Sequence, residues 1–69
     1  MKFGEYLKQE RLKIGVSGRE LGSRIDKSSN YISSMEKGNF IPDHETLIKL
    51  FDILNISISL KELYELFGV

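Results

Sequence analysis

Serine and asparagine side chains are concentrated in one short segment of the chain, residues 28–37. Helical spacing turns Ile32 and Met35 to one side of that segment and leaves a polar set on the other, consisting of Ser29, Asn30, Ser33 and Ser34. These residues weaken a helix, because their side chains compete for its backbone hydrogen bonds. An asparagine amide can pair with adenine, and a serine hydroxyl can donate to or accept from any base. Two interpretations stay open here: a surface that reads base edges, or an ordinary soluble helix face.

Catalytic and metal chemistry find little support in the composition. The chain has no cysteine and a single histidine, His44. It has no glycine-rich phosphate loop and no inward pair of carboxylates, so no catalytic set can be assembled. We therefore expect no enzymatic activity, no cofactor and no metal site, and we interpret His44 as a surface or capping residue.

The elements that must position the polar face are all helical. Apolar spacing predicts one all-α domain over residues 1–69, with helices at about 3–14, 18–25, 29–37, 44–54 and 60–67. In the first helix Phe3, Leu7 and Ile14 are expected to share a buried face. Ser17 with Glu20, and Ser59 with Glu62, have the spacing of capping boxes, in which each side chain satisfies the amide of the other residue.

The junction between the second and third predicted helices is a short turn, Asp26-Lys27. Two short helices joined in this way form a helix-turn-helix. The third helix would be about 13 Å long at 1.5 Å per residue, a length that suits a DNA major groove about 12 Å wide. Gly22, inside the second helix, predicts a close approach by another helix.

Charge and hydropathy limit the partners and the location. The net charge is zero, but residues 1–39 contain 8 Lys and Arg against 5 Asp and Glu, and residues 40–69 contain 2 against 5. The chain can therefore present one basic side, which attraction to phosphates requires. No apolar run approaches the roughly 20 residues of a membrane span, and residues 1–5 do not begin a signal peptide. We expect a cytoplasmic protein without membrane contact.

Three motifs lie within residues 16–50: Ser-x-x-Glu-Leu at 17–21, Tyr-Ile-Ser-x-Met-Glu-Lys-Gly at 31–38, and Pro-x-x-Glu-Thr-Leu at 42–47. Through these motifs the segment resembles the lambda-repressor/Cro-like, or xenobiotic-response-element, helix-turn-helix family. Gly4 and Arg11 extend the resemblance through the first helix. It implies a compact five-helix DNA-binding domain whose third helix enters the major groove.

The resemblance also implies roles for individual residues. Ser29, Asn30 and Ser34, with Ser33 beside them, would face the bases. The residues expected at phosphates are Ser17, Gly18, Ser28, Tyr31, Lys37 and Asn39. Arg11 and Glu36 would form a structural pair between the first and third helices. For Tyr31 two interpretations remain open, since it could pack on the second helix or reach a phosphate.

The chain departs from the family pattern at two notable positions. Gly18 stands where the family often has a glutamine that touches DNA, and Asp26 stands where glycine is commonest. Asp26 can still adopt the left-handed conformation of a tight turn. Because the base-facing side chains are all short, the helix must approach the bases closely or use water bridges. We therefore expect modest affinity per monomer and a need for dimerisation.

The predicted dimer surface is the end of the fifth helix, at Leu66, Phe67 and Val69. Leu63 and Phe67 could instead close the base of the core. A two-fold dimer would place two third helices about 34 Å apart and would face a palindromic site.

These features favour a sequence-specific repressor that binds double-stranded DNA. The alternative is a protein-interaction module of the same fold, such as an antitoxin or an antirepressor partner, and the neutral charge keeps it open. The two differ in salt dependence, because phosphate contacts make affinity fall steeply as salt rises.

Overall fold

The computed structural model describes residues 2–57, 59, 61, 62 and 65. Four helices lie in this part of the chain: α1 at Phe3–Lys13, α2 at Gly18–Arg24, α3 at Ser29–Glu36 and α4 at His44–Leu54. The described residues contain no strand, which confirms the all-α prediction. The longest helices have 11 residues, and no helix in the described part has the length and apolar content of a bilayer span.

The predicted count of five helices is not matched, since the described residues form four bounded helices. Ser59 accepts a hydrogen bond from the amide of Glu62 at 3.1 Å, and Lys61, Glu62 and Glu65 have helical backbone. The other positions of the predicted helix at 60–67 lie outside the described residues.

Side-chain caps begin three of the four helices. Ser17 accepts from the amide of Glu20 at 3.0 Å, Ser28 from that of Tyr31 at 3.1 Å, and Asp43 from that of Thr46 at 2.9 Å. Each cap satisfies one of the amides that a helix start leaves unpaired. The capping box predicted at α2 forms only in part, because the carboxylate of Glu20 accepts from Arg24 at 2.8 Å instead of closing back on Ser17.

The four helices all end in the same way, with a left-handed residue after the last turn. The residues with positive φ are Gly15 at 71°, Asp26 at 59°, Gly38 at 86° and Asn55 at 58°. In each case the backbone amide of the following residue donates to the carbonyl five residues earlier. These hydrogen bonds run from Val16 to Arg11, Lys27 to Gly22, Asn39 to Ser34 and Ile56 to Phe51. This is the Schellman pattern, and it reverses the chain sharply enough for neighbouring helices to pack.

The core lies between all four helices. Its fully buried side chains are Leu7, Leu21, Ile32, Met35, Leu47 and Leu50. Val16, which follows the α1 turn, is also buried. The prediction that Ile14 shares the buried face of α1 is wrong: Ile14 is the C-cap residue and is 41% exposed, because the helix ends before its side chain turns inward.

Candidate nucleic-acid interface

The bend between α2 and α3 is as tight as the predicted helix-turn-helix requires. Asp26 takes the left-handed conformation, and the amide of Lys27 donates to the carbonyl of Gly22 at 2.7 Å. Ser28 then caps α3. The side chains of Asp26 and Lys27 are exposed, so the turn places one negative and one positive group beside the start of α3.

Gly22 lets this turn lie directly on α2. A Cβ atom at this position would lie 2.8 Å from the carbonyl oxygens of both Lys27 and Ser28. The predicted close approach is therefore made by the backbone of the turn and of the α3 cap, rather than by the side of another helix. Only glycine leaves room for these carbonyls, so Gly22 sets the separation of α2 from the start of α3.

Gly4 plays the same part at the other end of α3. A Cβ atom on Gly4 would lie 2.5 Å from the carbonyl oxygen of Glu36 and 2.6 Å from that of Met35. Sequence reasoning used Gly4 only as part of a family resemblance and missed this contact. A glycine inside an amphipathic helix, where alanine would be more stable, was the available signal. Together Gly4 and Gly22 hold both ends of α3 against the rest of the fold.

Arg11 and Glu36 join α1 to the end of α3. The Arg11 guanidinium donates to both carboxylate oxygens of Glu36, at 2.7 and 3.1 Å, and to the carbonyl of Val16 at 2.9 Å. The two side chains are only 11% and 8% exposed. Hydrogen bonding to Glu36 raises the pKa of Arg11 further above its already high value, so the guanidinium stays charged and remains a donor to the end of α3.

The polar face of α3 is open to solvent. Ser29, Asn30 and Ser33 are exposed, and Ser34 is half-buried. Ser34 accepts a hydrogen bond from the side-chain amide of Asn39 at 3.0 Å. The described part of the chain therefore does not cover the face predicted to meet bases.

The residues expected at phosphates surround this face. Ser17 and Ser28 are exposed, and their hydroxyl oxygens serve as helix caps. A hydroxyl that accepts a hydrogen bond still has its own proton to donate, so both remain able to meet an anion. Gly18 is half-buried, while Lys37 and Asn39 are exposed at the end of α3.

Tyr31 is held by aromatic and cationic neighbours that neither sequence interpretation named. Its ring meets that of Phe40 edge-on, with centroids 4.8 Å apart, and the Lys27 ammonium lies 5.1 Å from the ring centroid. Burial raises the pKa of Tyr31, although a hydrogen bond with Thr46 acts in the opposite direction. The ring thus ties α3 to the segment that leads into α4, and its hydroxyl stays protonated.

The other residues singled out in the sequence are those of the predicted dimer surface and His44. The proposed dimer residues Leu66, Phe67 and Val69 are outside the described residues, as is Leu63. His44 is exposed at the first position of α4, where Asp43 is the cap. No group of His, Cys, Asp or Glu side chains within the described ranges is arranged to hold a metal ion.

Comparison with known proteins adds a family and two relatives. A family model described as helix-turn-helix matches residues 7–68. The chain is 33% identical over 57 residues to the HTH-type transcriptional regulator ImmR of Bacillus subtilis (strain 168), across 83% of this chain and 45% of that protein. It is 23% identical over 65 residues to the ImmF control region 10 kDa protein of Bacillus phage phi105, across 94% of this chain and 72% of that protein. The match thus spans less than half of the first relative. No solved structure matches the chain.

Proposed function

The chain belongs to the helix-turn-helix family, and from that membership we propose that it is a transcriptional regulator that reads the major groove of double-stranded DNA with α3. The membership also confirms the resemblance to lambda-repressor/Cro-like regulators. The observation that carries the proposal is the bare polar face of α3, on which Ser29, Asn30 and Ser33 are exposed. The eight residues of α3 extend about 12 Å at 1.5 Å per residue, which suits a groove about 12 Å wide.

Rigid support at both ends of α3 favours this use over that of an ordinary soluble surface. Gly22 and Gly4 hold the helix by backbone contact, and Arg11 binds Glu36 in a largely buried pair. A reading helix with short side chains needs such support, because small displacements separate short side chains from base edges. In this role Ser29, Asn30, Ser33 and Ser34 contact bases.

The phosphate contacts are proposed on either side of the base-reading residues. The hydroxyls of Ser17 and Ser28 and the amide of Gly18 donate to one strand at the start of α2 and α3. Lys37 lies exposed at the end of α3 and meets the other strand. Tyr31 would add a hydroxyl donor at the groove wall while its ring stays packed on Phe40.

We further propose that the protein acts as a repressor and binds a palindromic operator as a homodimer. The relative from Bacillus subtilis is named a transcriptional regulator, and the phage relative is named for a control region. Short reading side chains provide few contacts per monomer, so two copies on one duplex, with their third helices about 34 Å apart, would supply the affinity of an operator complex. Bound there, the protein would exclude polymerase.

The experiment that tests the proposal selects duplexes from a random library and measures affinity for the selected site against salt. We expect an enriched site with a salt slope of about −0.9 per phosphate contact. Asn30→Ala should weaken that site by about 1–3 kcal/mol and relax one base preference, whereas Lys37→Ala should weaken all duplexes alike. Lys49→Ala is the matched control, because Lys49 lies on α4 and pairs weakly with Glu45 at 4.0 Å.

A protein-interaction module is the second candidate, and the ion pairs favour it. Three cations in the basic part of the chain are paired with carboxylates: Arg11 with Glu36, Lys13 with Glu10 and Arg24 with Glu20. The basic potential available to phosphates is therefore smaller than the number of basic residues suggests. Equal, salt-insensitive binding of cognate and random duplexes would contradict DNA reading and would favour this second function.

A further inference from the structure

The side chain of Asn39 is bonded to the half-buried serine of the reading face. Its amide nitrogen donates to the hydroxyl oxygen of Ser34 at 3.0 Å. The backbone joins the same two residues, since the amide of Asn39 donates to the carbonyl of Ser34 at 3.1 Å. That second bond is part of the Schellman turn around Gly38. Two hydrogen bonds therefore hold Asn39 beside Ser34 rather than leaving it to extend freely toward a phosphate.

This bond determines what the Ser34 hydroxyl can offer to a ligand. A serine hydroxyl has one proton to donate and two lone pairs that accept. In Ser34 one lone pair is occupied by Asn39, and the proton has no acceptor among the described residues. An accepted hydrogen bond also polarises the hydroxyl and strengthens it as a donor. The Ser34 hydroxyl thus keeps its proton available to donate to a ligand.

Base edges in the major groove differ in whether they accept such a proton. Guanine presents two adjacent acceptors, O6 and N7, whereas the edge of cytosine presents only the N4 donor. Thymine and adenine present one acceptor each. A donor hydroxyl in the groove therefore favours guanine and disfavours cytosine.

We propose that Asn39 is a positioning residue for Ser34, and that together they select a base with a major-groove acceptor, guanine above the others. The proposal rests on the proposed function, because it requires α3 in the groove. It replaces the phosphate role expected for Asn39 with an indirect role in specificity. Asn39 need not touch DNA for this, since it acts through the hydroxyl that it orients.

The test selects duplexes with the full chain and with four variants: Ser34→Ala, Asn39→Ala, Asn39→Asp and Ser23→Ala. The last is the matched control, because Ser23 is an exposed serine on α2 that lies outside the proposed reading face and is not bonded to Asn39. Circular dichroism verifies that each variant is folded. We expect one position of the wild-type site to favour guanine over cytosine by roughly five-fold, the worth of one uncharged hydrogen bond. Ser34→Ala and Asn39→Ala should both flatten this position, and Ser23→Ala should leave it unchanged.

Asn39→Asp tests the polarity of the bond. A carboxylate only accepts, so Ser34 would have to donate to the carboxylate introduced at this position and turn its lone pairs to the groove. We expect weaker binding to all duplexes from the added negative charge, with the preference at the same position shifting toward cytosine or adenine, whose edges carry donors.

Three outcomes would overturn the inference. Asn39→Ala could weaken all duplexes alike and reduce the salt slope by about one, which is the behaviour of a phosphate contact. Asn39→Ala could leave the base preference unchanged at the position that Ser34→Ala flattens. Wild type could also favour cytosine over guanine at that position. Failure of wild type to select any salt-dependent site would overturn the proposed function itself, and the inference with it.

Discussion

Gly22→Ala should destabilise the protein, although alanine is the better helix former. The added methyl group would lie 2.8 Å from the carbonyl oxygens of Lys27 and Ser28, and 3.0 Å from the carbonyl carbon of Ser28. These are backbone atoms of the turn and of the α3 cap, so no flexible side chain can move aside. The turn itself must shift by about 0.6 Å before the contact becomes ordinary.

The size of the effect is the difference between two opposing contributions. Replacing glycine by alanine inside a helix stabilises it by about 0.5–1 kcal/mol, while overpacking against a well-packed neighbour costs about 1–3 kcal/mol. Because the clash involves two backbone oxygens, we expect the upper part of that range and a net loss of about 1–2 kcal/mol. For a domain of this size that corresponds to a melting temperature lower by roughly 5–15 °C.

Thermal and urea unfolding followed by circular dichroism measure this loss, and Gly18→Ala is its matched control. Gly18 lies on the same helix, and its added Cβ would meet only the Ile32 side chain, at the ordinary distance of 3.6 Å. Gly18→Ala should therefore raise the melting temperature or leave it unchanged. A Gly22→Ala variant that melts at or above wild type would show that the turn does not lie against α2 at these distances.

Four further substitutions test the electrostatics of the fold and of the proposed DNA contact. Glu36→Leu should cost about 3–5 kcal/mol in urea unfolding because it leaves Arg11 buried without its partner, and adding Arg11→Met should recover much of that loss; equal losses in the single and double variants would contradict this. Hydrogen bonds from the Thr46 side chain and backbone hold the pKa of Asp43 below its usual 3.8. The ionised Asp43 carboxylate therefore stabilises the fold fully above pH 3.8, and this stabilisation is lost as the pH falls through the folded-state pKa. Asp43→Asn keeps the cap without this titration, and its stability should fall less than that of wild type between pH values of about 5 and 2; parallel acid profiles would argue against the effect. Asp26→Gly should tighten binding to all duplexes at low salt, because it removes a negative charge near the phosphates while keeping the left-handed turn, and unchanged or weaker binding would place Asp26 away from DNA.

Local signals in the chain were sufficient to predict how each described helix starts or stops. Ser17, Ser28 and Asp43 cap the helices that follow them, and the left-handed stop at Gly15 was also predictable. Caps and stops involve residues only a few positions apart, so the types of those residues are enough to predict where such interactions form. The same locality made the exposed polar set of α3 predictable, because helical spacing alone separates it from Ile32 and Met35.

Contacts between distant residues depended on the tertiary structure. Gly4 meets the carbonyls at the end of α3, more than thirty positions away. A glycine in a helix can indicate a close approach, but nothing near Gly4 in the chain shows which segment makes it. The ring contact of Tyr31 with Phe40 likewise depends on the path of the chain between α3 and α4. Periodicity shows which side of a helix faces inward, but how closely two backbones approach is decided by the packing of the whole core.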